Sequence, residues 1–144
     1  MSMDDTTITL NIESNLGNLP ILRKTIRGLC SCVIQDERIF QDIDLCLNEA
    51  LSNVIHHVYE NQPGHEIKIL VTLYPKEFVF EIVYFGKTDP QEGKPLSLPT
   101  DPLDLESVPE SGRGLFLIHK LMDEVVYKSK NGMNILVLRK RFAH

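Results

Sequence analysis

The chain has 144 residues, of which 42% are hydrophobic and 24% charged, as is typical of a single globular domain with a buried core. Its formal net charge of −5 argues against a nucleic-acid-binding surface, because phosphate neutralisation requires clustered Lys and Arg. The three cysteines form no CxxC motif, no apolar run reaches membrane-spanning length, and the N-terminus lacks a signal-peptide pattern, so we expect a cytoplasmic protein.

Hydrophobic periodicity predicts the elements of the first 85 residues. Alternating apolar and polar residues indicate strands, and apolar residues three or four positions apart indicate helices. Pro75-Lys76 separates two alternating segments and predicts a tight hairpin, while Pro63-Gly64 ends the second helix. In chain order, the predicted elements are a strand over residues 6–12, helices over 19–33 and 36–61, and strands over 66–74 and 77–85.

Neither periodicity is present between residues 86 and 111, where five of the eight prolines occur. A loop of this length inside a compact domain is either functional or disordered, so the segment is a lid over a ligand or a disordered insertion. Asn131-Gly132 further on predicts a type I′ turn. The elements predicted after the loop are a helix over residues 115–122 and strands over 124–130 and 134–141.

Helices and strands occur in separate runs along the chain rather than in alternation. This order predicts an α+β fold with two layers, in which one mixed or antiparallel sheet carries the helices on one face. The sequence contains no internal repeat and no sign of a second unit. We therefore expect residues 1–144 to form a single domain, with residues 86–111 as its Pro-rich loop.

A polar stripe marks the second predicted helix. Glu49 and Asn53 are four residues apart and therefore share one helical face, opposite the apolar residues that form the core. A carboxylate accepts protons and a carboxamide oxygen binds hard cations such as Mg²⁺, a combination that suits phosphoryl transfer. The alternative for the pair alone is an ordinary solvated helix face, on which such pairs are common.

Gly112-Arg113-Gly114 stands between the long loop and the next predicted helix. The N-terminus of a helix presents free N–H groups and a positive dipole end, glycine allows close approach of an anion, and arginine adds a charged contact. The motif therefore predicts a phosphate-binding site. Taken alone, such a motif is more often a turn that begins a helix.

In this order, the two motifs resemble those of the Bergerat-fold ATP-binding domains, the histidine kinase-like ATPase superfamily that includes gyrase. Within that superfamily the chain is most similar to the anti-sigma factor serine/threonine protein kinases, which are small proteins of about this length. Residues 48–57 match the family's N-box, and residues 111–125 match its second glycine box. The resemblance covers nearly the whole chain.

The resemblance implies roles for individual residues. Glu49 is implied to be the general base that takes the proton from a partner's serine hydroxyl, and Asn53 to coordinate Mg²⁺. The Gly-Arg-Gly motif is implied to hold the triphosphate of ATP, under a lid formed by residues 86–111. The residues implied to contact the nucleotide are Asn53, His57, Tyr84, Gly86, Ser111, Gly112, Arg113, Gly114, Leu115 and Phe116.

ATP and Mg²⁺ are the cofactors that the resemblance implies, and two proteins are its partners. One is a sigma factor, which the protein would sequester, and the other is an anti-anti-sigma protein, which it would phosphorylate on serine. A homodimer is implied as well. Two alternatives are a non-catalytic anti-sigma-like switch and a catalytic domain that serves a separate histidine-bearing partner.

The chain departs from the family on the adenine side of the expected pocket. The family's first glycine box reads Asp-x-Gly-x-Gly, whereas Tyr84 occupies the Asp position here and only Gly86 matches a glycine. Met133 stands where the family has a threonine. Loss of a buried carboxylate-to-amino hydrogen bond costs roughly 1.5–3 kcal/mol, or about 10- to 150-fold in affinity. The site is therefore expected to bind ATP weakly, to accept another nucleotide, or to bind only protein.

Overall fold

The sheet of the protein is antiparallel throughout its described part, with the strand order β1-β2-β3-β5-β4. The structure is a computed structural model that describes residues 5–86 and 110–142, with the backbone alone described for residues 110–113. The strands are β1 (Thr6–Glu13), β2 (Glu66–Leu73), β3 (Glu77–Phe85), β4 (Glu124–Lys130) and β5 (Met133–Arg141). The helices are α1 (Leu19–Ser31), α2 (Glu37–Asn53) and α3 (Glu110–Leu121). None of these helices is both long and apolar enough to cross a bilayer.

One face of the sheet and the helices enclose the core. The strand register places Ile69 opposite Ile82 and Phe80 opposite Leu138, and all four side chains are fully buried. α2 adds Leu47 to the same cluster. Because successive side chains of a strand point to opposite faces, this packing covers one face of the sheet. The prediction of an α+β fold with helices on one face is confirmed, and the described sheet is antiparallel rather than mixed.

The second helix differs from its prediction, which extended it to residue 61. α2 ends at Asn53, and the chain continues as a π turn over Val54–Val58. A π turn contains about one more residue than an α turn, a difference that hydrophobic periodicity over one turn does not reveal. Glu60 and Asn61 then adopt left-handed φ angles of 52° and 62°, which end the helical path.

The third helix begins earlier than predicted. α3 starts at Glu110 rather than Leu115, so the prediction that Gly112-Arg113-Gly114 precedes the helix is wrong. Glycine is a weak helix former, which is why the sequence pattern favoured a start after the second glycine. Of the predicted lid, residues 87–109 lie outside the described residues.

Lys140 on β5 links α3 to α2 through a hydrogen bond and an ion pair. Its ammonium donates a hydrogen bond to the carbonyl oxygen of Leu121, at 2.5 Å, and lies 3.2 Å from a carboxylate oxygen of Asp42. A cation at the C-terminus of a helix satisfies a carbonyl that has no partner within the helix. Lys140 therefore fixes the end of α3 and, through it, the position of the residues that α3 brings to α2.

Candidate active site

α2 carries Glu49 and Asn53 one turn apart on the same face, as predicted. Both side chains are half-buried. In the described part of the chain, no hydrogen bond or ion pair engages the Glu49 carboxylate or the Asn53 carboxamide. Their oxygens are therefore free to contact a ligand.

α3 brings Gly114 against the carboxylate of Glu49. A Cβ atom built on Gly114 would lie 2.3 Å from Glu49 Oε2, a distance at which real side chains do not meet, and 3.2 Å from its Cδ. Position 114 therefore accommodates the carboxylate because glycine has no side chain. The two sequence motifs, which are far apart along the chain, meet at this contact.

The other residues of the second glycine box fall into two groups. Ser111 and Gly112 belong to the first turn of α3, whose N–H groups have no acceptor within a helix. The side chain of Arg113 lies outside the described part, and its predicted phosphate contact stays a prediction. Leu115 and Phe116 are 7% and 5% exposed, so both face the protein interior rather than open solvent.

Gly86 lies at the end of β3, between the π turn and the β4–β5 turn. Its N–H donates a hydrogen bond to the carbonyl oxygen of Gly132, at 3.1 Å. A Cβ atom on Gly86 would lie 3.0 Å from Cγ1 of Val58, and its φ is 156°. The strand end is therefore packed closely on the turn that follows Asn53.

Tyr84 is a core residue whose side chain is only 1% exposed. It pairs with Ile67 on one side and Asn134 on the other, on the helix-covered face of the sheet. Asn134 Nδ2 donates to the carbonyl oxygen of Tyr84 at 3.5 Å, and the hydroxyl of Tyr127 donates to Asn134 Oδ1 at 2.6 Å. Asn134 was not among the predicted site residues, although a carboxamide directly before the apolar residues 135–138 of β5 was a usable signal.

His57 lies on the π turn with its side chain exposed and its ring edge-on to that of His56, the two centroids being 6.4 Å apart. Because a π turn has an additional residue, Val58 rather than His57 follows Asn53 by one full turn. Within the described residues, no hydrogen bond joins His57 to Glu49. Its predicted role at the nucleotide stays a prediction.

Comparison with known proteins identifies the family of the chain. The histidine kinase-like ATPase domain matches residues 12–140. The chain belongs to the histidine kinase-like ATPase family. Serine-protein kinase RsbW of Bacillus cereus (strain B4264) is 28% identical to it over 136 residues, which cover 92% of this chain and 83% of that protein. The protein of the same name from Bacillus thuringiensis (strain Al Hakam) is 27% identical over the same shares of the two chains.

Members of an ATPase family act on ATP, whose phosphate oxygens are themselves ligands of a metal ion. Residues 5–86 and 110–142 contain no group of three or more His, Cys, Asp or Glu side chains that could hold a metal ion alone. Mg²⁺ bound with a nucleotide needs only one or two protein ligands, because phosphate oxygens and water supply the others. The carboxamide of Asn53 offers an oxygen donor of the required kind.

Two residues that are near Glu49 or Gly114 in the sequence have shifted pKa values. Burial raises the pKa of the Cys46 thiol, one turn before Glu49, to about 12. This thiol stays protonated at neutral pH and is not a nucleophile. Burial lowers the pKa of His119 on α3, so its imidazole favours the neutral form.

Proposed function

We propose that the protein is an ATP-dependent serine kinase of the anti-sigma type, which sequesters a sigma factor and phosphorylates an anti-anti-sigma protein. The contact between Glu49 and Gly114 is the observation that carries the proposal, because it joins a base to the helix whose start is suited to phosphate. The names of the two relatives, both serine-protein kinases, support the same activity. The two protein partners follow from the resemblance of residues 48–57 and 111–125 to anti-sigma kinases.

In the proposed reaction, Glu49 accepts the proton of the partner's serine hydroxyl while the serine oxygen forms a bond to the γ-phosphorus of ATP. The bond between the γ-phosphorus and the bridging oxygen to the β-phosphorus breaks, and ADP leaves with that oxygen. Glu49 later releases its proton to water. Its half-buried position is compatible with this role, since a partner's side chain has to reach the carboxylate.

The first turns of α3 are proposed to bind the triphosphate. The N–H groups of Ser111 and Gly112 and the positive end of the helix dipole attract an anion, and Arg113 adds a guanidinium. Asn53 would hold Mg²⁺, which when bound neutralises charge on the phosphates. Because Gly114 has no side chain, the backbone of α3 could approach the triphosphate and still leave room for the Glu49 carboxylate.

The base of the nucleotide is proposed to lie near Gly86 and Tyr84, with His57 at the outer rim and Leu115 and Phe116 on the inner wall. A tyrosine hydroxyl offers one hydrogen bond where the family offers a carboxylate. We therefore propose weaker ATP binding than an aspartate at position 84 would give.

A second candidate function is a protein-binding switch without catalysis. It is favoured by one observation: the side chain of Tyr84 is almost completely buried in the core, at the position where the family has a polar carboxylate. In this case the fold, the sigma-factor partner and the homodimer would be kept, and phosphotransfer would be lost.

Phosphotransfer distinguishes the two candidates. The protein is incubated with Mg²⁺, γ-labelled ATP and a panel of purified anti-anti-sigma proteins, and the labelled residue is located by mass spectrometry. The kinase proposal expects label on a serine of at least one of these proteins, and no label with the Glu49→Gln variant. Transfer to none of them by a protein that binds sigma factor would favour the switch.

A further inference from the structure

Tyr59 directly follows the π turn and is almost completely buried, with 6% of its surface exposed. Its N–H donates to the carbonyl oxygen of Val54 at 3.0 Å, which closes the π turn. Its ring stacks on that of His65, with the centroids 4.4 Å apart and the planes within 4°. The stacking on His65 therefore fixes the plane of the Tyr59 ring.

The hydroxyl of Tyr59 stands at the open end of the β2–β3 ladder. This ladder ends at the pair Ile67–Tyr84, and the next pair in the same register is Glu66 and Phe85. The hydroxyl donates to the carbonyl oxygen of Glu66 at 3.0 Å and accepts from the N–H of Phe85 at 3.1 Å. It therefore bridges the two backbone groups that would otherwise continue the ladder.

The sequence neighbours of Tyr59 and Phe85, which are Val58 and Gly86, also lie close to each other. Val58, which precedes Tyr59, is the side chain that a Cβ on Gly86 would meet at 3.0 Å. The N–H of Gly86 donates to the carbonyl oxygen of Gly132, away from β2. Two consecutive residues, Val58 and Tyr59, thus hold two consecutive residues at the end of β3.

We infer that Tyr59 is a positioning residue of the nucleotide site, whose hydroxyl keeps the end of β3 away from β2 and so sets the place of Gly86 relative to Asn53. This inference deepens the proposed function and rests on it for the identity of the ligand. Without the hydroxyl, the N–H of Phe85 loses its acceptor and the carbonyl of Glu66 loses its donor, so the end of β3 that carries Gly86 is no longer held in place. Burial raises the pKa of Tyr59, so the phenol stays protonated and keeps its donor at physiological pH.

The test compares Tyr59→Phe with a matched control, Ser14→Ala. Ser14 is also buried, and its hydroxyl also makes one donated and one accepted bond to the backbone, with the carbonyl of Gln62 at 2.7 Å and the N–H of His65 at 3.1 Å. Both variants therefore lose a hydroxyl bridge near the same connection, but only Tyr59→Phe frees Phe85. We expect the Kd for ATP with Mg²⁺, measured by calorimetry, to rise about tenfold in Tyr59→Phe and to stay unchanged in Ser14→Ala.

Amide hydrogen exchange, followed by NMR without nucleotide, tests the structural step separately. Exchange at Phe85 and Gly86 should accelerate in Tyr59→Phe, whereas Ser14→Ala should accelerate exchange at His65 instead. Unchanged exchange at Phe85, or an unchanged Kd in Tyr59→Phe, would overturn the inference. A wild-type protein that binds no ATP would overturn the proposed function, and the exchange data would then still decide whether Tyr59 holds the strand end.

Discussion

Glu49 and Gly114 are in such close contact that a Cβ atom at position 114 would lie 2.3 Å from Glu49 Oε2. A side chain at position 114 would therefore displace the carboxylate at the end of the Glu49 side chain, whether or not the backbone of Gly114 also contacts phosphate. The carboxylate cannot keep its position if any side chain is added at Gly114. This contact gives the second glycine of the motif a role that concerns the position of Glu49.

Replacing Gly114 by alanine should affect catalysis more than binding. The added methyl group displaces the Glu49 carboxylate, and loss of general-base catalysis lowers kcat by about 100-fold or more. The Kd for ATP, measured by calorimetry beside the phosphotransfer rate, should change little.

Gly28→Ala is the matched control, since Gly28 lies in α1 and a Cβ there has nothing within 4 Å. This variant should keep its activity and gain roughly 0.5–1 kcal/mol of stability from the better helix former. A Gly114→Ala variant with wild-type kcat would show that Glu49 tolerates the methyl group, contrary to the contact.

Glu49→Gln should lower kcat by about 10²- to 10⁴-fold, because a carboxamide keeps the shape of the side chain but does not take up the serine proton. ATP binding, measured separately by calorimetry, should be largely retained. Glu13→Gln, a change of the same type at an exposed strand end, should have wild-type kcat. Full activity of Glu49→Gln would remove Glu49 from the mechanism.

Tyr84→Asp tests whether position 84 lies at the adenine. The substitution has a cost, because a 1% exposed aromatic residue is replaced by a small charged one, and stability should fall by about 3 kcal/mol or more. The new carboxylate can accept the adenine amino group, so ATP with Mg²⁺ should raise the Tm of this variant more than that of wild type.

Tyr84→Phe, which keeps the ring, should show neither the large loss of stability nor the greater stabilisation by ATP. Equal ATP-induced Tm shifts in wild type and Tyr84→Asp would mean that position 84 does not contact the base.

His119 should make the protein sensitive to mild acid. Burial lowers the pKa of His119 below the usual 6.5, so the unfolded chain takes up a proton more readily than the folded one. The contribution to stability is complete above about pH 6.5 and is lost as the pH falls through the lower folded-state value. The loss of Tm on acidification through this window should therefore be smaller in His119→Gln than in wild type, while His57→Gln, at an exposed position, should behave like wild type.

The sequence predicted what depends on local periodicity. The phase of α2 follows from apolar residues three and four positions apart, so the pattern alone was enough to place Glu49 and Asn53 on one face. The antiparallel hairpin of β2 and β3 likewise follows from alternation around Pro75-Lys76. The fold class was predictable for the same reason.

What the sequence did not predict depends on contacts between distant segments or on turns of unusual width. The approach of Gly114 to Glu49 depends on how α3 packs on α2, which no local pattern encodes. The π turn differs from an α turn by one residue, and the bridge made by Tyr59 depends on that difference. The start of α3 was missed because helix propensity favoured a boundary after the glycines.

Binding of ATP is the central claim, and calorimetric titration of the purified protein with ATP tests it most directly. With Mg²⁺ present we expect saturable binding at one site per chain. We expect weaker binding when Mg²⁺ is removed or Asn53 is replaced by alanine, because both changes remove the metal-mediated contact between the protein and the phosphates. No heat of binding up to millimolar ATP would contradict the account, whatever the protein is found to bind instead.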